Sequence, residues 1–469
     1  MSTMVLSPNK DIRAHRDNEM EDCSSQESEC SNENGNSSQC TKRVTLGSMI
    51  QTERVRHLSI SDYQETGENS ELVSQINRVI HRSRKCVVLT GAGISCNAGI
   101  PDFRSFEGLY RMVKEQYPEV NIRSGQDMFD ISLFREEEKI SVFASFMESL
   151  YSHTIQAKPT KTHEFIAHLK NRGKLLRCYT QNIDGLEEML GLQMSNSRDV
   201  EQSFSSQWKN LDVVQLHGDL TTLSCTQCFK VFSWSRYWKR CLKNGELPVC
   251  PKCLEKNNRR SSEGKRCLGH SGMLRPNIVL YGENHPNADF ITQGLNLDIN
   301  RGKADLFLIM GTSLKVDGVK RLVKTISKQV HDRGGLVILV NKTTIGDGSW
   351  HGIIDYQIEA DCDQWVTELK KHMSDFFLTQ QQLDKIRQLK REASELRKRQ
   401  REEKLLQKQK QKLNSPSDLT TPPNSPKKRK TTSLPNGKLI PSLKKTESMH
   451  VVPTPEEMFT LTPKSTSSL

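Results

Sequence analysis

The chain has 469 residues, a formal net charge of +12 and an apolar fraction of 34%, too long for one ordinary domain and too polar to be folded throughout. The charge is uneven: residues 1–40 carry a net of −5 and residues 379–469 a net of +11, so the basic balance does not mark the body as a nucleic-acid binder. No apolar run is long enough for a membrane span, the first thirty residues lack a secretory-signal pattern, and thirteen scattered cysteines suit a reducing compartment better than a disulfide scaffold.

Residues 1–65 are rich in Ser, Asn and acidic residues and are expected to be a disordered tail. Cys23, Cys30 and Cys40 lie there at loose spacing and read as exposed thiols. The body is expected to run over 66–378. An amphipathic helix is predicted over 72–83, with Leu72, Ile76, Val79 and Ile80 on one face. Short β-branched runs follow at 86–90, 175–179, 213–216, 306–310 and 336–340, with helical stretches between several of them. Buried strands alternating with helices predict an α/β fold, a doubly wound parallel (Rossmann-like) sheet. A smaller inserted module, helical plus a zinc ribbon at about 219–274, is expected beside it. Residues 379–413 form a basic helical segment, read as a solvated single helix, with a short coiled-coil contact as the alternative. Residues 414–469 are a Ser/Thr/Pro/Lys-rich regulatory tail, expected to be disordered.

The chemistry-bearing residues sit at strand ends. After the first strand comes Gly91-Ala92-Gly93-Ile94-Ser95, then Pro101-Asp102-Phe103-Arg104. A glycine-rich turn after a strand lets backbone N–H groups approach a pyrophosphate, helped by a following helix N-terminus. Its spacing departs from the dehydrogenase G-x-G-x-x-G, which disfavours hydride transfer. Gln181, Asn182, Ile183 and Asp184 follow the next strand, with capping of a helix near Gly185 as the plainer reading. His217 ends another strand beside Gly218 and suits a general base. Gly311, Thr312 and Ser313, and then Asn341 and Lys342, close later strands and suit ribose and phosphate contacts. Cys225-x₂-Cys228 and Cys250-x₂-Cys253 form two thiolate knuckles for one structural Zn²⁺. Cys241 and Cys267 lie nearby as competing ligands without partners at that spacing.

In this order the motifs resemble the sirtuin family of NAD-dependent protein deacylases, over about residues 70–375. The resemblance also rests on 275–283, 311–314, 340–342 and 361–363. The Glu-Leu-Pro-x-Cys-Pro-x-Cys ribbon and the basic tail are similar to the fungal nuclear branch, which removes acetyl groups from a lysine in the histone core. The resemblance implies that NAD is a co-substrate and that Zn²⁺ is structural. It implies that the 91–110 loop, including Tyr110, and the 311–313 turn bind phosphates and ribose, that Asn341 and Lys342 hold the adenosine ribose, and that Cys362 covers the adenine. Asp102, Phe103 and Arg104 would line the nicotinamide end, Ile183 and Asp184 would grip the carboxamide, Asn182 would orient ribose and water, and His217 would be the general base. Substrate peptide would add as a strand along 277–281. Tyr281 stands where Phe is usual, a polar insert at about 193–209 reads as a solvated loop, and Phe143 and Phe146 in the expected pocket region favour a neutral acyl group.

The expected activity is therefore NAD-dependent deacetylation of histone or other acetyl-lysine protein, with mono-ADP-ribosylation at the same site as the alternative. A non-enzymatic chromatin module would need a broken constellation. In the tail, Pro426-Lys-Lys-Arg-Lys430 reads as a nuclear-import cluster. Thr421, Ser425, Thr454 and Thr462 precede prolines and are candidate phosphorylation sites for a phospho-degron reader. The basic tail would give DNA at most a weak, sequence-blind contact.

Overall fold

Five-residue apolar runs such as Cys-Val-Val-Leu-Thr leave no polar face, so they suit only strands covered on both sides. The computed structural model describes residues 45–63, 69–100, 115, 118, 127–195, 203–266 and 269–413. Cys23, Cys30, Cys40, the 101–110 loop, Cys267 and the tail sites Thr421, Ser425, Thr454, Thr462 and 426–430 lie outside the described residues.

In chain order the described elements are α1 (Leu46–Ile50), β1 (Arg56–Ser59), α2 (Ser70–Arg82), β2 (Cys86–Thr90), α3 (Glu137–Thr154), α4 (Lys161–Asn171), β3 (Leu175–Thr180) and α5 (Phe204–Asn210). Then come β4 (Val213–Gln215), β5 (Gly218–Cys225), β6 (Val231–Ser233), α6 (Arg236–Lys243), α7 (Pro251–Ser262), β7 (Leu274–Ile278) and α8 (Ala288–Arg301). The series closes with β8 (Leu306–Met310), α9 (Asp317–His331), β9 (Leu336–Asn341), β10 (Tyr356–Glu359), α10 (Cys362–His372) and α11 (Gln380–Leu413).

Seven strands form one sheet in the order β1-β10-β9-β8-β2-β3-β4, and every neighbouring pair is parallel. Alternate side chains go to opposite faces, as the strand period of two requires. Cys86, Val88, Leu308 and Ile338 pack with Ile76 and Ile80 of α2, Phe165 of α4 and Trp365 of α10. Val87, Leu89, Phe307, Ile309 and Leu339 pack on the other face with Val323 and Ile326 of α9 and Trp208 of α5. A separate antiparallel sheet, β6-β5-β7, carries Cys225 at the end of β5, while Cys250 and Cys253 lie at the start of α7. A third apolar cluster joins α3 to Ile183, Ile278 and Leu280.

Three expectations need correction. Residues 45–63, read as part of the polar tail, belong to the fold: β1 pairs along β10, from Arg56 with Tyr356 to Ser59 with Glu359. The strand is an edge in which Leu58 alone is buried, so it has no apolar alternation to read. Second, no α-helix starts near Gly185. That glycine has φ 69°, which turns the chain into one short 3-10 turn, Glu188–Leu190. Third, the insert read as a solvated loop contains α5, whose Trp208 is buried and packs on Phe290.

The chain divides into two units, residues up to 390 and residues from 391 on. What is described of the second is the remainder of α11, in which Leu396, Leu405 and Leu406 are all more than half exposed. Among the described residues, no helix is long and apolar enough to cross a membrane.

Candidate active site

At β2 and β8 the strand order turns outward in both directions, the switch point where open α/β sheets leave a ligand crevice. The loops leaving these two strands touch. Gly91 N–H donates to Met310 O at 3.0 Å, and Gly93 N–H donates to Gly311 O at 2.9 Å. A Cβ on Gly93 would lie 2.8 Å from Gly311 Cα, so the close approach requires glycine. The helix N-terminus expected behind this loop is absent from the described residues. Two 3-10 turns, Ala92–Ile94 and Cys96–Ala98, stand there instead.

Ser95, fully buried at the end of the first turn, ties the loop to the segment after β3. Its hydroxyl donates to Asp184 Oδ2 at 2.8 Å and accepts from Asn182 Nδ2 at 3.0 Å. Asp184 Oδ1 accepts the Leu186 N–H at 3.1 Å. Asn182 N–H donates to Thr180 Oγ1 at 3.1 Å, while its buried Oδ1 meets no partner. Ser95, Asn182, Ile183 and Asp184 line one small cavity with Ala92, Ile100 and Leu220.

His217 follows β4, half-buried, with Nδ1 2.9 Å from Gln181 O. A carbonyl only accepts, so Nδ1 carries the proton and Nε2 is the basic nitrogen of the neutral ring. Gln181 itself turns toward β8, donating from Nε2 to Thr312 Oγ1 at 2.9 Å. Gly311 and Thr312 are buried and Ser313 is half-buried in the turn after β8. Asn341, at the end of β9, donates to Thr343 O at 2.8 Å, and Lys342 beside it is exposed. Cys362 opens α10 with its thiol buried against Val340 O at 3.5 Å. Burial holds that thiol far above the usual range, so it is a neutral packing group. Pro101, Asp102, Phe103, Arg104 and Tyr110 lie outside the described residues.

One side of the segment read for strand addition, 277–281, is paired within the chain, with β7 at the edge of the small sheet. Asn277 and Ile278 register with Asp219 and Gly218 in the small sheet. The N–H groups of Val279, Leu280 and Tyr281 donate to His217 O, Glu283 Oε2 and Phe129 O. A three-stranded sheet needs its own partners there, which the linear motif does not reveal. Phe143 and Phe146 are buried in the cluster that includes Ile183 and Ile278. They pack edge-to-face on Phe134 and Phe129.

The four cysteines converge. Cys225 ends β5, Cys228 follows in the turn, Cys250 caps α7, and Cys253 sits in its first turn beside a Pro at N1. Their sulfurs all lie within 4.8 Å of one another, with Cys225–Cys253 and Cys228–Cys250 at 3.7 Å. Zn–S bonds of ~2.3 Å in a tetrahedron need S···S edges of about 3.8 Å, so the set fits a closed zinc site. Burial raises the Cys225 thiol, but the N–H groups of Cys228 and Gln227 outweigh it and bring it to about 7, whereas burial pushes Cys250 up to about 12 and also raises Cys253. Cys241 is not in the cluster.

Two groupings escaped the motif reading. His163, Asp184 and Glu187 bring one ligand atom each within 4.8 Å, all buried. Glu187, an acid following Gly-Leu, carried no signal beyond its apolar surroundings. Asp298 of α8 accepts from Arg177 Nε at 3.0 Å, Tyr179 Oη at 2.9 Å and Trp208 Nε1 at 2.9 Å. This buried anchor sits behind β3 and fixes the strand that delivers Asn182 and Asp184.

A Sir2 family model matches residues 91–318, from the glycine turn through the zinc ribbon to the start of α9. The NAD-dependent histone deacetylase HST3 of Saccharomyces cerevisiae is 61% identical over 383 residues, 81% of this chain and 82% of that protein. The Candida albicans protein of the same name is 53% identical over 320 residues, 68% of this chain and 65% of its own length. A Sir2 homolog–NAD complex aligns with a TM-score of 0.48 at 25% identity, over 70% of this chain and 99% of that one. With the glycine turn, the His217 strand end and the four-cysteine ribbon in the family's order, and with identity this high across most of a relative's length, the chain belongs to the Sir2 family.

Proposed function

We propose that the protein is an NAD-dependent protein lysine deacetylase acting on histones. The observation that carries this reading is the convergence of Ser95, Asn182 and Asp184 at the strand-switch crevice, with His217 oriented by Gln181 O. The names of its relatives, NAD-dependent histone deacetylases, support the substrate class.

In this reading the acetyl-lysine carbonyl oxygen bonds to the ribose carbon of NAD as nicotinamide departs with the bond's electrons. His217 Nε2 then takes the proton of a ribose hydroxyl, which attacks the resulting imidate carbon. Addition of water balances the sequence, giving free lysine and acetylated ADP-ribose. Asp184 and Ile183 hold the nicotinamide carboxamide, and Asn182 orients ribose and water. The glycine turn, Thr312 and Ser313 bind phosphates and ribose, and Asn341 and Lys342 bind the adenosine ribose. Cys225, Cys228, Cys250 and Cys253 would hold a Zn²⁺ that would supply folding stability rather than Lewis acidity, four thiolates leaving no open position. The apolar side chains packed with Ile183 suit a neutral acyl group.

The finer biological reading rests on the tail sequence. We place the protein in the nucleus through 426–430, give the +11 segment a salt-sensitive attraction to DNA, and assign Thr421, Ser425, Thr454 and Thr462 to a phosphorylation-dependent degradation signal. Alanine at Thr421, Thr454 and Thr462 should lengthen protein half-life, and an unchanged half-life refutes that assignment.

Mass spectrometry of acetylated core-histone peptides, with and without NAD, tests the activity. Acetyl loss only with NAD, together with acetylated ADP-ribose in solution, is the expected result. Label from the adenine end of NAD on protein, without acetyl loss, would point to mono-ADP-ribosylation instead.

A further inference from the structure

Glu187 is a carboxylic acid with no access to solvent, folded back beneath β3 by the positive-φ turn at Gly185. Neither of its oxygens makes a hydrogen bond of ordinary geometry. An ionised carboxylate in such a place costs several kcal/mol unless paired. Ionisable groups beside it are Asp184 and one ring nitrogen of His163, each within 4.8 Å, and the Cys178 thiol. His163 Nδ1 accepts the Thr160 N–H at 3.2 Å, so the neutral ring carries its proton on Nε2, which is buried without a partner.

Two carboxyls this close share one negative charge more readily than they hold two. The donors decide which keeps it. Asp184 receives the Ser95 hydroxyl and the Leu186 N–H, whereas Glu187 receives neither. The charge therefore belongs on Asp184 and the proton on Glu187.

We propose that Glu187, as a neutral acid, is a positioning residue that keeps its pair with Asp184 at one negative charge and Asp184 aimed into the crevice. The proposal rests on the deacetylase reading, in which Asp184 grips the nicotinamide carboxamide.

The surroundings agree. Burial first, then the Asp184 charge, pushes Glu187 up to about 8, and the Thr180 hydroxyl offsets only part of this. Burial lowers His163 against the pull of Asp184 and Asp363, keeping the ring neutral. Cys178 on β3 faces the same cluster, and burial keeps its thiol protonated. Below pH 8 the cluster bears one negative charge. Above it Glu187 ionises, and the second charge strains the grip of Asp184.

The test uses the full chain with Glu187→Gln, which fixes a neutral side chain of the same shape, and Glu187→Ala. Wild-type affinity for NAD, read by calorimetry, should fall roughly tenfold between pH 7 and 9. Glu187→Gln should match wild type at pH 7 within about threefold and stay flat to pH 9. Glu187→Ala should weaken NAD binding about tenfold or more at pH 7. Parallel pH profiles for wild type and Glu187→Gln, or equal damage from Gln and Ala, would overturn the proposal. Infrared spectroscopy gives a second arm that needs no turnover and no folded variant. A neutral-carboxyl band in the wild type that titrates near pH 8 supports the proposal, and its absence at pH 7 refutes it. NAD binding with no acetyl loss from any acetylated histone would sink the deacetylase reading, while these two arms still judge the cluster.

Discussion

The Ser95 hydroxyl donates to Asp184 at 2.8 Å and accepts the Asn182 amide at 3.0 Å, so one side chain from the glycine loop sets the angle between two residues from the next strand end. Without it, Asp184 keeps only the Leu186 N–H. A hydrogen bond to a charged group is worth about 1.5–3 kcal/mol. Ser95→Ala should therefore lower kcat/KM for NAD roughly tenfold to a hundredfold, and, because it leaves Asn182 Nδ2 and Asp184 Oδ2 buried without that partner, it should also cost about 1–3 kcal/mol of stability. Steady-state kinetics at saturating peptide checks this, and an unchanged kcat/KM would show that the loop does not position Asp184.

Much of this was legible because burial on both faces writes itself plainly into a strand. Cys86–Thr90 and Leu306–Met310 stand in the structure at the bounds their apolar runs imply. The cysteine spacing likewise forecast a cluster whose sulfurs close to 3.7 Å. What escaped was set by partners distant in sequence. β1 owes its place to β10, some three hundred residues later, and its Arg-His-Leu-Ser has no alternation to read. Trp208 looked like part of a polar insert because its partners, Asp298 and Phe290, lie on α8. The internal partners of 277–281, Gly218, Asp219 and Phe129, are likewise not its neighbours in sequence.

His217 offers a separation of binding from chemistry. Its Nδ1 is engaged by Gln181 O, so the ring is held by backbone and its loss should not disturb the loop. His217→Ala should cut kcat by about 10²–10⁴, the usual contribution of a positioned base, while NAD affinity stays within about threefold. Single-turnover kinetics beside calorimetry makes the comparison. Residual deacetylation near the wild-type rate would remove His217 from the base role.

Asp298 tests the support behind the site. Its carboxylate answers Arg177, Tyr179 and Trp208 in a region closed to solvent, and the Arg177 guanidinium also donates to Leu211 O and stacks on Trp208. Asp298→Asn keeps the shape but leaves the Arg177 charge uncompensated, a loss of ~3–5 kcal/mol for a broken buried pair. At roughly 2–4 °C per kcal/mol for a domain of this size, melting should drop by about ten degrees. Trp208→Phe removes one donor and should cost about 1 kcal/mol. Equal melting for Asp298→Asn and wild type would mean that the pair is dispensable.

The ribbon should need its metal. Cys225, Cys250 and Cys253 are buried with Leu223, Leu242 and Leu274 in one small apolar cluster, too few side chains to hold a three-stranded sheet alone. Elemental analysis of the purified chain should find about one zinc per molecule. Cys250→Ser, or prolonged chelation, should release it and cause loss of the ribbon's protection from hydrogen exchange. Because β5 continues from Gly218, directly after His217, activity should fall along with the ribbon. Full activity in a zinc-free protein would separate the two.

Tyr63 is the simplest probe of the unexpected N-terminal segment. Its hydroxyl accepts from Trp365 Nε1 at 2.7 Å, its carbonyl lies 2.6 Å from His372 Nε2, and its ring is buried against the same helix, α10. Burial pushes the phenol far above its usual range, so it stays neutral and the bond is unaffected by pH. Tyr63→Phe removes only the acceptor and leaves the Trp365 N–H buried and unanswered, which should cost about 1–3 kcal/mol. Tyr63→Ala adds a cavity in the core and should cost ~3–5 kcal/mol. If residues 45–63 were instead a solvated tail, both variants would melt with the wild type. Thermal unfolding of the three proteins side by side decides between them.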